Sequence, residues 1–182
     1  MKVIVLTGPE STGKTWLAQT LGRRLGGLVV SEYVREYVAA IGRDTTYSDV
    51  EPIARCQLER EDHARALLPE LLVLDTHLLS NRIWSQILFQ HSPDWLEEAL
   101  LSRQYDLHLL LDPREVPWAA DGQRCQPGLR DRLNFYQACQ EWLERHDQPF
   151  VSIGGSWVNR ERLVLQHANA LLEDRDASTL IQ

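Results

Sequence analysis

Gly8-Pro9-Glu10-Ser11-Thr12-Gly13-Lys14-Thr15 matches the pattern GxxxxGK[ST] and lies between two contrasting stretches. Before it, Val3–Leu6 is a run of apolar, mostly β-branched residues, the pattern of a strand buried on both faces. After it, Trp16, Leu17, Leu21 and Leu25 recur at helical spacing. Strand, glycine-rich turn and helix are the setting in which this motif cradles phosphate. Backbone N–H groups curl around phosphate oxygens, and the helix N-terminus adds partial positive charge. Lys14 then reaches the β- and γ-phosphates, and the Thr15 hydroxyl ligates Mg²⁺. The alternative is an ordinary glycine turn with none of this chemistry. Lysine usage favours the phosphate reading, because Lys14 and Lys2 are the only lysines among 19 basic residues. The motif therefore predicts ATP and Mg²⁺ as cofactors. Gly8, Glu10, Ser11, Thr12, Gly13, Lys14, Thr15 and the adjoining Trp16 are the expected binding residues.

Strand and helix patterns alternate along the rest of the chain. Further strands are predicted at Leu28–Val30, Leu71–Leu74, Leu107–Leu111 and Phe150–Ile153. Helices are predicted over Tyr33–Ile41, to about Ala66, Thr76–Gln90, Pro93–Ser102, Leu129–His146 and Val158–Leu172. Gly42 suits the end of the first of these. Ser48 and Glu51 read as a capping box for the next. Such alternation implies a five-stranded parallel sheet covered on both faces, an α/β architecture. Ligands bind beyond the carboxyl ends of the strands in such sheets. Residues that follow each strand are therefore the ones to inspect.

Asp75 closes Leu71-Leu72-Val73-Leu74-Asp75 and is placed to hold Mg²⁺, alongside Thr15. It could equally cap the helix beginning at Thr76. Glu32 follows the second strand in Ser31-Glu32-Tyr33-Val34-Arg35-Glu36-Tyr37, where an acid can take a proton from an acceptor hydroxyl. A surface ion pair with Arg35 is the plainer alternative. Tyr33 and Tyr37 share a helix face, as a stacking site or as core. Asp112–Gly128 holds three prolines and two glycines and is longer than most loops, which points to a mobile lid. Its Trp118, Asp121 and Arg124, with Arg132 beyond, could close on a transferring phosphoryl group or simply face solvent.

Composition narrows the class further. The chain has 182 residues, 43% hydrophobic and 25% charged, as a globular protein of one domain would. A net charge of −7 argues against electrostatic wrapping of nucleic acid. Three scattered cysteines, Cys56, Cys125 and Cys139, suggest neither zinc nor a disulfide framework and fit a reducing cytoplasm. No stretch approaches a membrane span. No NKxD sequence follows a later strand, so a guanine-specific GTPase site is unsupported.

Taken together, these segments resemble the ribosylnicotinamide kinase domain of NadR-type proteins. GPESTGKT resembles its phosphate loop, SEYVREYV its segment after the second strand, and Asp75-Thr76 its acid after the third. Trp118 through Arg124 resembles its W-x-x-D-G-x-R lid, followed by Arg132-Leu133-Asn134-Phe135. Pro9 and Arg130 depart from the family pattern. The resemblance implies a P-loop NTPase fold of three layers, α/β/α, like nucleoside and nucleotide kinases with a lid. It implies one kinase domain over 1–173, a lid near 112–128 and a flexible tail over 174–182. It further implies ATP-dependent phosphorylation of the 5′-hydroxyl of nicotinamide riboside in NAD salvage. Lys14, Glu32, Asp75, Arg124 and Arg132 would be catalytic. Glu32, Tyr33, Arg35, Tyr37, Trp84, Trp118 and Asp121 would hold a small-molecule nucleoside. Trp and Tyr faces would suit its cationic pyridinium ring. Neither an adenylyltransferase signature nor a partner nucleic acid or membrane is expected. Other nucleosides as acceptors, or a nucleotide-switched ATPase module, are the alternatives.

Overall fold

Alternation of side chains along each strand divides the core in two. In the computed structural model, which describes residues 1–122 and 124–179, Val3 and Val5 face one way and Ile4 and Leu6 the other, all at most 2% exposed. The strands are β1 (Lys2–Thr7), β2 (Leu28–Val30), β3 (Leu71–Asp75), β4 (Leu107–Leu111) and β5 (Phe150–Ile153). All pairings are parallel, in the order β2-β3-β1-β4-β5. The helices are α1 (Lys14–Leu25), α2 (Val34–Ile41), α3 (Tyr47–Ala66), α4 (Leu78–Phe89), α5 (Trp95–Leu101), α6 (Leu129–Arg145) and α7 (Trp157–Thr179).

Val3, Val5, Leu72, Leu74 and Leu110 pack against α3, α4, α5 and α6 through Ala54, Leu79, Leu96 and Phe135. Ile4, Leu6, Val73, Leu109 and Ile153 pack against α1 and α7 through Leu17, Leu21, Val164 and Ala168. Burial on both faces is why the strands read as unbroken apolar runs. The result is the expected three-layer α/β/α sandwich. Strand order reverses at β1, so the carboxyl ends of β1, β3 and β4 meet at one crevice.

Local differences from the sequence expectations have physical causes. The capping box of α3 uses Thr46 and Asp49 instead of Ser48 and Glu51. Asp49 accepts hydrogen bonds from the Thr46 N–H at 2.7 Å and its hydroxyl at 2.8 Å, while Glu51 pairs with Arg55. Helix α4 starts at Leu78, after Thr76. Thr76 has a left-handed φ of 67° and its N–H bonds Leu6 O at 3.1 Å, so it ends the strand and turns the chain. A β-branched residue rarely adopts that conformation, and Thr76 does so next to Asp75. Helix α7 continues to Thr179, where a frayed tail was expected from Glu173. No glycine or proline interrupts 173–179, so nothing in the chain stops the helix there. Residues 180–182 of the expected tail lie outside the described residues. No helix among the described residues is long and apolar enough to cross a membrane.

Candidate active site

The turn from β1 into α1 depends on backbone that only certain residues adopt. Gly8 has a φ of 131°, and a Cβ there would sit 2.8 Å from the Leu111 carbonyl oxygen. Gly13, at φ 88°, has the Trp157 ring where its Cβ would be. The Thr12 hydroxyl donates to Pro9 O at 2.8 Å and braces the loop. Lys14 Nζ spans it, donating to Gly8 O at 2.9 Å and Pro9 O at 2.8 Å. Burial pushes the Lys14 ammonium below its ordinary range, while Glu32 and Asp75 act to raise it.

Two acids flank this lysine. Asp75 ends β3 and is 2% exposed. Burial, then the charge of Glu32, pushes its carboxyl up to about 6, against the Thr15 hydroxyl beside it. Its Oδ1 is buried without a hydrogen-bond partner. A hydroxyl beside an orphaned carboxylate oxygen fits Mg²⁺, which takes one or two protein oxygens and fills its shell with phosphate and water. Glu32 receives the Arg35 Nε at 3.2 Å. Its peptide neighbours are held from α3. Gln57 Oε1 accepts the Tyr33 N–H at 2.8 Å, and Gln57 Nε2 donates to Ser31 O at 3.5 Å.

The raised Asp75 carboxyl has a consequence for stability. A carboxyl that ionises later in the folded state stabilises the fold fully below its ordinary value of 3.8 and loses that contribution as pH rises through about 6. Asp75→Asn is therefore expected to melt at a higher temperature than wild type at pH 8. The two should converge toward pH 4. Thermal melts across this range check it, and a lower melting temperature for the variant at pH 8 would refute the assignment.

Between β4 and α6, Trp118, Ala119, Cys125 and Gln126 bond to Glu10 and Ser11 of the phosphate loop. Asp121 receives the Arg35 Nη1 at 2.8 Å and the Arg124 Nε at 3.1 Å, so one carboxylate links two guanidinium groups. Arg124 Nη1 donates to Ala119 O at 2.6 Å. Arg132 is buried elsewhere and donates to Val116 O at 3.4 Å. Arg160, which sequence reasoning missed, ties the β5–α7 turn to the end of β4. Its guanidinium donates to Gly155 O at 2.7 Å and Asp112 O at 2.6 Å.

Two openings meet at these residues. A cavity of about 180 Å³ runs among α2, α3 and α4, with Val38, Ile53, Trp84 and Phe89 as apolar walls and Asn81 and Gln57 as polar points. A groove of about 400 Å³ follows the phosphate loop past Thr15, Trp16, Gln19 and Arg23. Lys14, Glu32, Arg35 and Arg124 line both. An acid and three cations thus stand where an apolar chamber opens onto a phosphate cradle.

Several expected substrate residues are placed elsewhere. Tyr33 and Tyr37 turn toward α3 and do not line the cavity. The Tyr33 ring lies under the Arg60 guanidinium at 4.6 Å, and the Tyr37 hydroxyl donates to Asp49 at 2.7 Å. Arg60 and Asp49 both come from α3, and their pull decides which way that helix face turns. Trp118 is outside the cavity as well, because Glu10 holds its indole N–H at 2.8 Å. Trp84 does reach the cavity, backed by Phe135 at 5.0 Å between ring centroids. Trp16 is exposed and meets Trp157 edge-on at 6.2 Å.

Comparison with known proteins adds to this geometry. The family model described as an AAA domain matches residues 3–160. No curated protein matches the sequence. Among solved structures, the fold is similar to NadR protein in complex with NR, with a TM-score of 0.73 and 21% identity over 90% of this chain. NadR in complex with NAD and AMP-PNP is similar at a TM-score of 0.71 and 18% identity over 94%. This chain spans 49% of the length of each of those NadR chains. Deoxyadenosine kinase from M. mycoides is similar at a TM-score of 0.64 and 14% identity, over 92% of this chain and 99% of that one.

Proposed function

This chain belongs to the AAA domain family, and we propose that it is a P-loop kinase that transfers the γ-phosphoryl group of ATP to the 5′-hydroxyl of nicotinamide riboside. The observation that carries this reading is the shared wall. The cavity and the phosphate groove meet at Lys14, Glu32, Arg35 and Arg124. A nucleotide-switched ATPase has no need of an apolar chamber opening at its phosphates, whereas a kinase needs an acceptor pocket there. NadR, bound to NR in one similar structure, supports the choice of riboside.

In this reading the loop N–H groups and Lys14 hold the triphosphate. Glu32 accepts the proton of the acceptor hydroxyl as its oxygen bonds phosphorus and the bond to the ADP oxygen breaks. Arg124 and Arg35 neutralise the charge that builds on the transferring group. Thr15 and Asp75 would hold Mg²⁺, which supplies charge neutralisation to the phosphates. Trp84 and Phe89 offer aromatic faces to the pyridinium ring, and the acid Glu32 lines the same cavity.

Trp84 gives a selective test. Trp84→Leu keeps the position apolar but removes the π-face and part of the ring's volume. It is expected to weaken riboside binding by about 3- to 30-fold, the range a cation–π contact supplies, with ATP binding unchanged. Calorimetric titration with each ligand checks this. Equal riboside affinity in variant and wild type would remove the ring from this cavity.

A further inference from the structure

An acid in the middle of a phosphate loop is electrostatically awkward, and Glu10 is one. Its carboxylate is not left facing the phosphate site. Oε1 accepts the Trp118 indole N–H at 2.8 Å and the Gln126 N–H at 2.5 Å, and Oε2 accepts the Cys125 N–H at 3.1 Å. The next residue joins in, since Ser11 Oγ accepts the Ala119 N–H at 3.1 Å. These bonds tie residues 108 to 116 positions apart in the chain. Two successive N–H groups and an indole N–H spread the carboxylate charge, as anion-binding backbone concavities do. Arg124 lies between the two attachments, next to Cys125, and its own guanidinium bonds back to Ala119 O.

We propose that Glu10 is a positioning residue that seats residues 118–119 and 125–126 on the phosphate loop and so holds Arg124 over the junction of groove and cavity. The ligand of this backbone site is thus the chain's own carboxylate. Seating of these residues and the shape of the phosphate loop become one event: displacement of the loop pulls Glu10 from its three donors. A sequence reading that treats Glu10 as a nucleotide contact overlooks this, because its partners are distant in the chain. The consequence for turnover rests on the kinase reading above, while the seating itself does not.

Glu10→Gln keeps size but offers one acceptor oxygen in place of two. Two measurements test the proposal. Amide exchange at Ala119, Cys125 and Gln126 should quicken at least about tenfold in Glu10→Gln. Exchange unchanged at these amides would overturn the seating whether or not the protein is a kinase. Turnover should fall while the dissociation constant for ADP stays within about threefold. Combining Glu10→Gln with Arg124→Ala should cost no more than Arg124→Ala alone, because both act through Arg124. Additive losses, or loss of ADP binding in step with turnover, would make Glu10 a direct nucleotide contact and overturn the positioning role. If wild type phosphorylates no nucleoside, the kinase reading fails and the exchange measurement alone decides the seating.

Discussion

Lys14→Ala is expected to lower phosphoryl transfer by at least about 10²- to 10³-fold, the cost of removing one preorganised electrostatic contact. Its fold should survive. The Lys14 ammonium bonds only loop carbonyls, and Pro9 O keeps the Thr12 hydroxyl as a donor. Burial already disfavours the charge, so its removal relieves a penalty instead of opening a hole in the core. A thermal melt equal to or above wild type, with turnover nearly abolished, is the predicted pair of results. A folded Lys14→Ala protein with wild-type turnover would contradict the site assignment.

Glu32→Gln should lower turnover by about 10²- to 10⁴-fold, the usual range for a lost general base. Glutamine preserves the shape and the place held by Gln57 on either side, so nucleotide affinity should stay nearly intact. Arg35 retains its Asp121 bridge in the variant. The alternative for Glu32 is an ion pair with Arg35 and no more. That alternative predicts a small change in stability and none in turnover. Steady-state kinetics alongside a nucleotide titration separates the two.

The parts of this site that are legible in sequence are those set by neighbouring residues. GxxxxGK[ST] needs only its own spacing, and the β3 run ending in Asp75 announces itself by five consecutive residues, all buried. Glu32 could be singled out because it follows a strand. The partners that position it could not be. Gln57 is one polar residue on a long helix, and nothing local marks it as the clamp on Ser31 and Tyr33. Arg160 and Glu10 act across more than forty residues, through contacts that exist only once the sheet is assembled. Tyr33 and Tyr37 show the opposite failure. Their shared helix face was readable, but which side it met depended on Arg60 and Asp49 of α3. At Thr46–Glu51 two overlapping capping patterns compete, and the Arg43 contacts to Asp49 mark the one the fold uses.

The most direct test of the kinase assignment is ADP release from ATP and Mg²⁺, followed with and without nicotinamide riboside, with the riboside product identified by mass. The prediction is turnover that requires the riboside and yields nicotinamide mononucleotide, one per ADP. Slow ADP release at the same rate with and without riboside would contradict the account and leave a nucleotide-switched ATPase. Release that requires a different nucleoside would keep the kinase and contradict the acceptor.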